Sequence, residues 1–351
     1  MFTSSVRSFL YAFCLSAAVV SAAPGLSLSL SGADSAVDVD NLSVSVTLTN
    51  TGNTTMKILN DPSSILSPTF ATNTFAIDSA SGSPSFVGMK VKYNPSSVMR
   101  KNREQSFTLL TPGESVTVDH ALANAYNFTG SGETSYTIAP STLFYYIDAD
   151  TNELMTINAE TLQKHTAKLS GTLAVARREL DKRIAYNSCS TSEESTLVTA
   201  AAAAQTYAEN AQAYLDENTS STTRYTTWFG TYTSTRHTEV LSHFSNMLDH
   251  PYADYTYDCS CTDTDVYAYV YSDSFGTIYL CGAFWDAPTT GTDSMGGTLI
   301  HESSHFTIIG GTDDYVYGQT SAESLAVSNP DEAILNADSH EYFAENNPSL
   351  S

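Results

Sequence analysis

The sequence predicts a chain in two parts, an all-β sandwich followed by a mainly α unit with a small β-hairpin, an α+β arrangement. Three observations carry this reading. Apolar residues repeat with period two in the first half and with helical period from Cys189 onward. The charge changes at the same place: residues 1–183 carry 13 Lys+Arg and 15 Asp+Glu, whereas residues 184–351 carry two basic residues, Arg224 and Arg236, against 23 acidic ones. A dibasic pair, Lys182-Arg183, marks the step. With 351 residues and 41% hydrophobic content, each part can bury a core of its own.

Residues 1–22 read as a secretory signal: Arg7 precedes the apolar stretch opened by Phe9-Leu10-Tyr11-Ala12-Phe13-Cys14-Leu15, and Val20-Ser21-Ala22 supplies small residues for cleavage. Residues 23–183 read as a β-rich pro-region. Leu26 to Leu30, Val37 to Val39 and Val44 to Leu48 alternate with period two, and Asn50-Thr51-Gly52-Asn53 is a turn signal. It contains no catalytic constellation, and its expected tasks are to assist folding and to cover a neighbouring active site until cleavage near Lys182-Arg183. Residues 184–351 read as the second, mainly helical unit. There Thr191 or Ser190, with Glu194 or Glu193 three residues on, makes a capping box ahead of the stripe Leu197, Ala201, Ala204, Ala208, Ala211 and Leu215. A second helix is expected from about Arg224 to Leu248 with Phe229, Val240, Phe244 and Met247 inward. A hairpin is expected over 266–281, closed around Asp273–Gly276.

Composition excludes several partners. A net charge of −23 with few lysines and arginines disfavours nucleic acid and anionic membrane surfaces. Past the N-terminus no apolar run approaches the roughly 18 residues of a membrane helix. Loss of Cys14 with the signal would leave four cysteines, Cys189, Cys259, Cys261 and Cys281, as suits disulfides in an extracellular protein. Cys259 and Cys261 pair poorly with each other, which leaves 189–259 with 261–281, or 189–261 with 259–281. Asn41, Asn53, Asn127 and Asn218 lie in glycosylation sequons. A secreted monomer is expected.

The chemistry is concentrated in Thr298-Leu299-Ile300-His301-Glu302-Ser303-Ser304-His305-Phe306. On a helix, positions i and i+4 share a face, so both imidazoles can reach one metal ion, and Glu302 beside them can take a proton from water. Gly310-Gly311 is expected to end that helix. A catalytic zinc needs a third protein ligand and an open position. A His six residues past the second is absent, since Gly311 stands there; Glu323 is a distant candidate. The loop Gly311-Thr312-Asp313-Asp314-Tyr315-Val316-Tyr317-Gly318 turns straight back and offers a nearer carboxylate.

His301-Glu302-x-x-His305 followed by Gly-Thr-x-Asp314-x-x-Tyr317-Gly resembles the deuterolysin, or aspzincin, zinc endopeptidases. The resemblance implies a zincin-like catalytic unit, one Zn²⁺ bound by His301, His305 and Asp314, Glu302 as general base, and Tyr317 as hydrogen-bond donor to the oxyanion. Asp313 competes for the ligand role on sequence alone, and the family spacing places it in solvent. The similarity is greatest to the fungal peptidyl-Lys metalloendopeptidases, through Tyr225-Thr226-Thr227-Trp228-Phe229-Gly230, Gly282-Ala283-Phe284-Trp285 and Asn336-Ala337-Asp338-Ser339-His340-Glu341-Tyr342-Phe343. It implies cleavage on the amino side of lysine, Asp338 and Glu341 as receivers of the substrate ammonium, and the 189–259, 261–281 disulfides.

The composition agrees with that specificity. All seven lysines precede residue 184; at the frequency of the first part the remainder should hold about 6, because Lys is a common residue. An enzyme that cuts at lysine persists in its own company if its mature unit offers none, and the two remaining arginines argue that cleavage at Arg is weak. The expected partners are protein substrates with accessible lysine and the chain's own pro-region. Two other readings compete: a broad deuterolysin that favours basic proteins, and a silent secreted zinc-binding or carbohydrate-binding module.

Overall fold

The computed structural model describes residues 23–175 and 186–351. The expected signal and the Lys182-Arg183 junction lie outside them. Among the described residues the chain is a mixture of helix and strand, with a large apolar core in each half and a smaller cluster, Val91 and Tyr93 with Val266 and Tyr317 among them, where the halves meet.

Residues 23–175 are mostly strand. Leu26–Gly32 and Ser43–Asn50 pair antiparallel, flanked by Glu160–Gln163 and Ser115–Ala121. Their alternation turns Leu26, Leu28, Leu30, Val44, Val46 and Leu48 inward to one core with Ile77, Tyr136, Ile138 and Leu169 from a second four-stranded sheet. Two details differ from the period-two reading. The strand at 37 stops at Val37 and Val39 opens a 3-10 turn, because Asp38 takes a positive φ of 68°. A short helix, Pro95–Lys101, also interrupts the strands. Asn94 caps it by accepting from the Ser97 N–H, and Pro95 sits in its first turn, where a missing N–H does no harm.

In the second half the long helix Thr191–Glu217 begins with the capping box, resolved as Ser190 with Glu193. All six stripe residues are buried. The expected helix from Arg224 to Leu248 is two helices, Thr223–Phe229 and Ser234–Leu248. Gly230 breaks it: its φ is 73°, and a Cβ there would lie 2.0 Å from the Ala326 carbonyl oxygen, so only glycine fits. Phe229, Val240, Phe244 and Met247 are nevertheless all in the core. The hairpin forms as Val266–Tyr271 with Thr277–Leu280, and disulfides join Cys189 to Cys259 and Cys261 to Cys281.

The hairpin belongs to a five-stranded sheet whose outermost member comes from the first half. Met89–Tyr93 pairs antiparallel with Val266–Tyr271, placing Lys92 opposite Ala268 and Val91 opposite Tyr269. This is strand addition at an otherwise open edge. It brings the first half to the face where the helix Met295–Ser304 ends.

Candidate metal centre and lysine pocket

The helix Met295–Ser304 is buried along its whole length, packed between the long helix and the C-terminal helix Ala337–Glu345. Ser294 caps it, accepting from the Gly297 N–H at 2.9 Å. Gly297 is needed for space, since a Cβ there would lie 2.1 Å from Glu345 Oε1 and 3.0 Å from Glu341 Oε1. The helix ends at Ser304, earlier than the glycine pair, and His305 is its C-cap with helical angles (φ −68°, ψ −25°). The four-residue spacing of His301 and His305 therefore holds through the helix end, with ring centroids 4.8 Å apart.

The chain then turns through Gly311, at φ 56°, and His305 Nδ1 donates to the Thr312 carbonyl at 3.0 Å. That bond leaves Nε2 as the nitrogen with a free lone pair. His301 Nδ1 lies 2.8 Å from Asp338 Oδ1, which directs its Nε2 to the same place. Asp314 Oδ1 lies 3.1 Å from His301 Nε2 and 3.4 Å from His305 Nε2. Asp313 points elsewhere because its backbone is pinned: its N–H donates to the Leu335 carbonyl and its carbonyl accepts from Ala337. Adjacent side chains in extended chain leave on opposite sides, so Asp314 faces the histidines and Asp313 does not.

These residues fit a zinc ion. His301 Nε2, His305 Nε2 and Asp314 Oδ1 are buried without a hydrogen-bond partner, as are both carboxylate oxygens of Glu302. Unpartnered buried polar atoms are costly, and five converging on one point call for a ligand. Tetrahedral ligands with bonds of roughly 2.1 Å lie about 3.4 Å apart; the three candidate ligand atoms lie within 4.8 Å of one another. Two imidazoles and one carboxylate leave a fourth position open. Burial pushes the Glu302 carboxyl up to about 8, against the opposing charge of His301. Burial would raise Asp314 too, but the His305 and His301 imidazoles outweigh it and hold the carboxyl well below its usual range.

Met89–Tyr93 crosses this centre. The Tyr317 hydroxyl donates to the Val91 carbonyl at 2.8 Å, the Val91 N–H donates to Asp314 Oδ2 at 3.3 Å, and the Lys92 N–H faces the Glu302 carboxylate. The Lys92 side chain, 1% exposed, runs into a pocket that ends in Asp338 and Glu341, themselves 2% and 0% exposed. Its ammonium pairs with Glu341 and lies 3.7 Å from Asp338. Burial disfavours that charge, yet Glu341 and Asp338 outweigh it and raise the ammonium pKa well above its usual value. Asp338 is held low against the pull of burial, by Lys92 and His301, while burial raises Glu341. Behind them Glu345 is pushed up to about 9 by burial and by Glu341, and its Oε1 accepts from the Ser294 N–H and hydroxyl.

The family model described as lysine-specific metallo-endopeptidase, aspzincin, matches residues 214–345. Over its full length the chain is 70% identical to a peptidyl-Lys metalloendopeptidase of Armillaria mellea, with all of both chains covered. The chain belongs to the aspzincin family. A peptidyl-Lys metalloendopeptidase of Grifola frondosa is 52% identical over 95% of this chain and 97% of its own. A solved zinc peptidase from the same fungus is 58% identical, covering 46% of this chain and 100% of its own, with a TM-score of 0.46.

In this aspzincin, then, the sequence-derived residues His301, Glu302, His305, Asp314, Tyr317, Asp338 and Glu341 gather around one point. Glu323 does not; it is exposed on the helix Gln319–Ser328. Asp313 is not simply solvated, because it pairs with Lys90 of the first half. Arg224 is buried, with Nε and Nη2 donating to the Phe343 carbonyl, so its persistence says nothing about cleavage at arginine. The sequons at Asn41, Asn53, Asn127 and Asn218 are exposed or half-buried. Sequence reasoning missed Lys90, Lys92 and the contact of Asp338 with His301. A signal for the lysines existed: Met89-Lys90-Val91-Lys92-Tyr93 puts both on one side of a strand.

Proposed function

We propose that this aspzincin is a secreted zinc endopeptidase, made as a preproenzyme, that hydrolyses peptide bonds on the amino side of lysine. Residues 23–183 are its pro-region, a β-sandwich, and residues 184–351 its zincin-like catalytic unit. The observation that carries the reading is the seat of Lys92. A lysine side chain fills a closed acidic pocket while the peptide bond before it, Val91–Lys92, lies across His301, Glu302, His305, Asp314 and Tyr317.

His301, His305 and Asp314 would hold the zinc, which when bound would polarise the scissile carbonyl and lower the pKa of water at the open position. Glu302 takes the proton of the attacking water and passes it to the nitrogen of the departing lysine, the atom that faces it here. Tyr317 donates to the carbonyl oxygen as it gains charge. Asp338 and Glu341 bind the ammonium, and Asp338 also orients His301, so specificity and metal orientation share one carboxylate. Arg carries the same charge on a wider planar head, so the shape of the pocket sets the choice between Lys and Arg.

Mass spectrometry of peptides released from a defined protein tests the assignment. New N-termini should be lysine, and a chelator should abolish cleavage with zinc restoring it. Equal cutting before Lys, Leu and Phe would replace this reading with a broad deuterolysin; no cutting at all would leave a silent zinc-binding module. Tyr317→Phe removes only the donor. It is expected to lower kcat about 100- to 1,000-fold while zinc content and KM stay close to the parent values. A variant with full kcat would remove Tyr317 from the mechanism.

A further inference from the structure

The segment Lys90-Val91-Lys92 is laid across the centre with the polarity of a substrate, which numbers the positions around it. If Lys92 follows the scissile bond, Val91 precedes it and Lys90 is the residue before that. Strand geometry sends Lys90 and Lys92 to the same side. Lys92 enters the closed pocket; Lys90 lies against Asp313 and forms an ion pair with it, the lysine side chain 11% exposed and the aspartate 44% exposed.

We infer that Asp313 forms a second cation subsite, receiving a basic side chain two residues before the substrate lysine. The inference rests on the reading above and adds a preference for the pattern basic–X–Lys. Three further observations support it. Asp313 is held by contacts within its own half, through backbone bonds to Leu335 and Ala337 and its Oδ1 accepting from the Asp314 N–H at 2.8 Å. Preorganised charge costs little ordering on binding. The catalytic half supplies no cation of its own for it: Arg224 is buried elsewhere and Arg236 pairs with Asp331. The cleft beside it, about 320 Å³, is lined mostly from the first half, Asp61, Lys90 and Tyr145 among them, and from the catalytic half by Asp313, Asp314, Tyr315 and Tyr317, so departure of the first half leaves Asp313 open to a substrate. The Phe86 ring lies 5.1 Å from the Lys90 ammonium but belongs to the pro-region, so a substrate gains the Asp313 contact without it.

The preference should be modest, because the subsite is half exposed and salt screens it. The test uses the processed enzyme and three fluorogenic peptides that differ at one position, Arg-Val-Lys, Gln-Val-Lys and Glu-Val-Lys. Arginine serves as the probe so that no second lysine is cut, and mass spectrometry verifies the cleavage point. The expected kcat/KM ratio of the Arg to the Gln peptide is about three- to tenfold at low salt, with the Glu peptide lowest. In Asp313→Asn, which keeps an oxygen acceptor for the Asp314 N–H, the three rates should converge; a ratio of rates is insensitive to any general loss of activity. Equal rates in the parent enzyme overturn the subsite while leaving the lysine reading intact. A preference that persists in Asp313→Asn overturns the assignment to Asp313. If none of the peptides is cut before lysine, the underlying reading falls and the subsite with it.

Discussion

Glu302→Gln in the processed enzyme is expected to abolish turnover, by at least about 1,000-fold, while zinc content stays at one per chain. The size follows from the loss of a positioned proton carrier. Gln has the same shape and cannot take the proton from water or return it to the leaving nitrogen. The fold should tolerate the change unusually well for a buried site. Glu302 has both oxygens buried and unpartnered, and burial already pushes it up to about 8, so a neutral amide suits the cavity at least as well as the charge. Zinc retention is expected because Glu302 lies outside the group formed by His301, His305 and Asp314. Metal analysis and peptide turnover on the same sample decide the matter: more than a tenth of the parent rate, with zinc present, would remove Glu302 from the role of general base.

Lys92→Met in the full chain is expected to release the catalytic unit from its pro-region. Lys92, Asp338 and Glu341 are all at most 2% exposed, and removing one partner of a buried ion pair costs about 3–5 kcal/mol because the remaining charges stay uncompensated. That corresponds to a weakening of pro-region binding by about 150- to 4,000-fold. The hydrophobic side chain of Met has nearly the same length, so the strand pairing with Val266–Tyr271 can persist and the effect reads the charge itself. The measurement is activity of the full chain after cleavage at the junction, followed over a dilution series. The parent should stay latent to a much lower concentration than the variant. Equal latency would mean that the pro-region holds on through its other contacts and that the ammonium in the pocket is incidental. Lys92→Arg is the companion experiment, since it keeps the charge and changes only the shape of the head.

Much of the centre was legible because it is local. The four-residue spacing of His301 and His305 needs only a helix, and the helix needs only its cap and its apolar neighbours. The stripe from Leu197 to Leu215 and the box at Ser190 and Glu193 are likewise short-range patterns. The misreadings have causes that a local pattern cannot see. Gly230 breaks the expected Arg224–Leu248 helix because the Ala326 carbonyl stands where a Cβ would be, a contact almost 100 residues away in the chain. The motif helix stops at Ser304 because the following residues must turn Thr312 back onto His305.

By itself, then, the sequence determined the change from strand to helical period near the middle of the chain, the four-residue spacing of His301 and His305, the carboxylate of Glu302 beside them and the absence of lysine beyond residue 183. Those follow from period, spacing and composition, all of which are written along the chain. Only the tertiary structure showed how the pinned backbone of Asp313 turns Asp314 to the histidines, that Asp338 touches both His301 and an ammonium, and that the ammonium belongs to Lys92. The pairing of Lys92 with Glu341 spans 249 residues. Such a contact is set by how the two halves meet along one sheet edge, and no spacing rule within either half contains it.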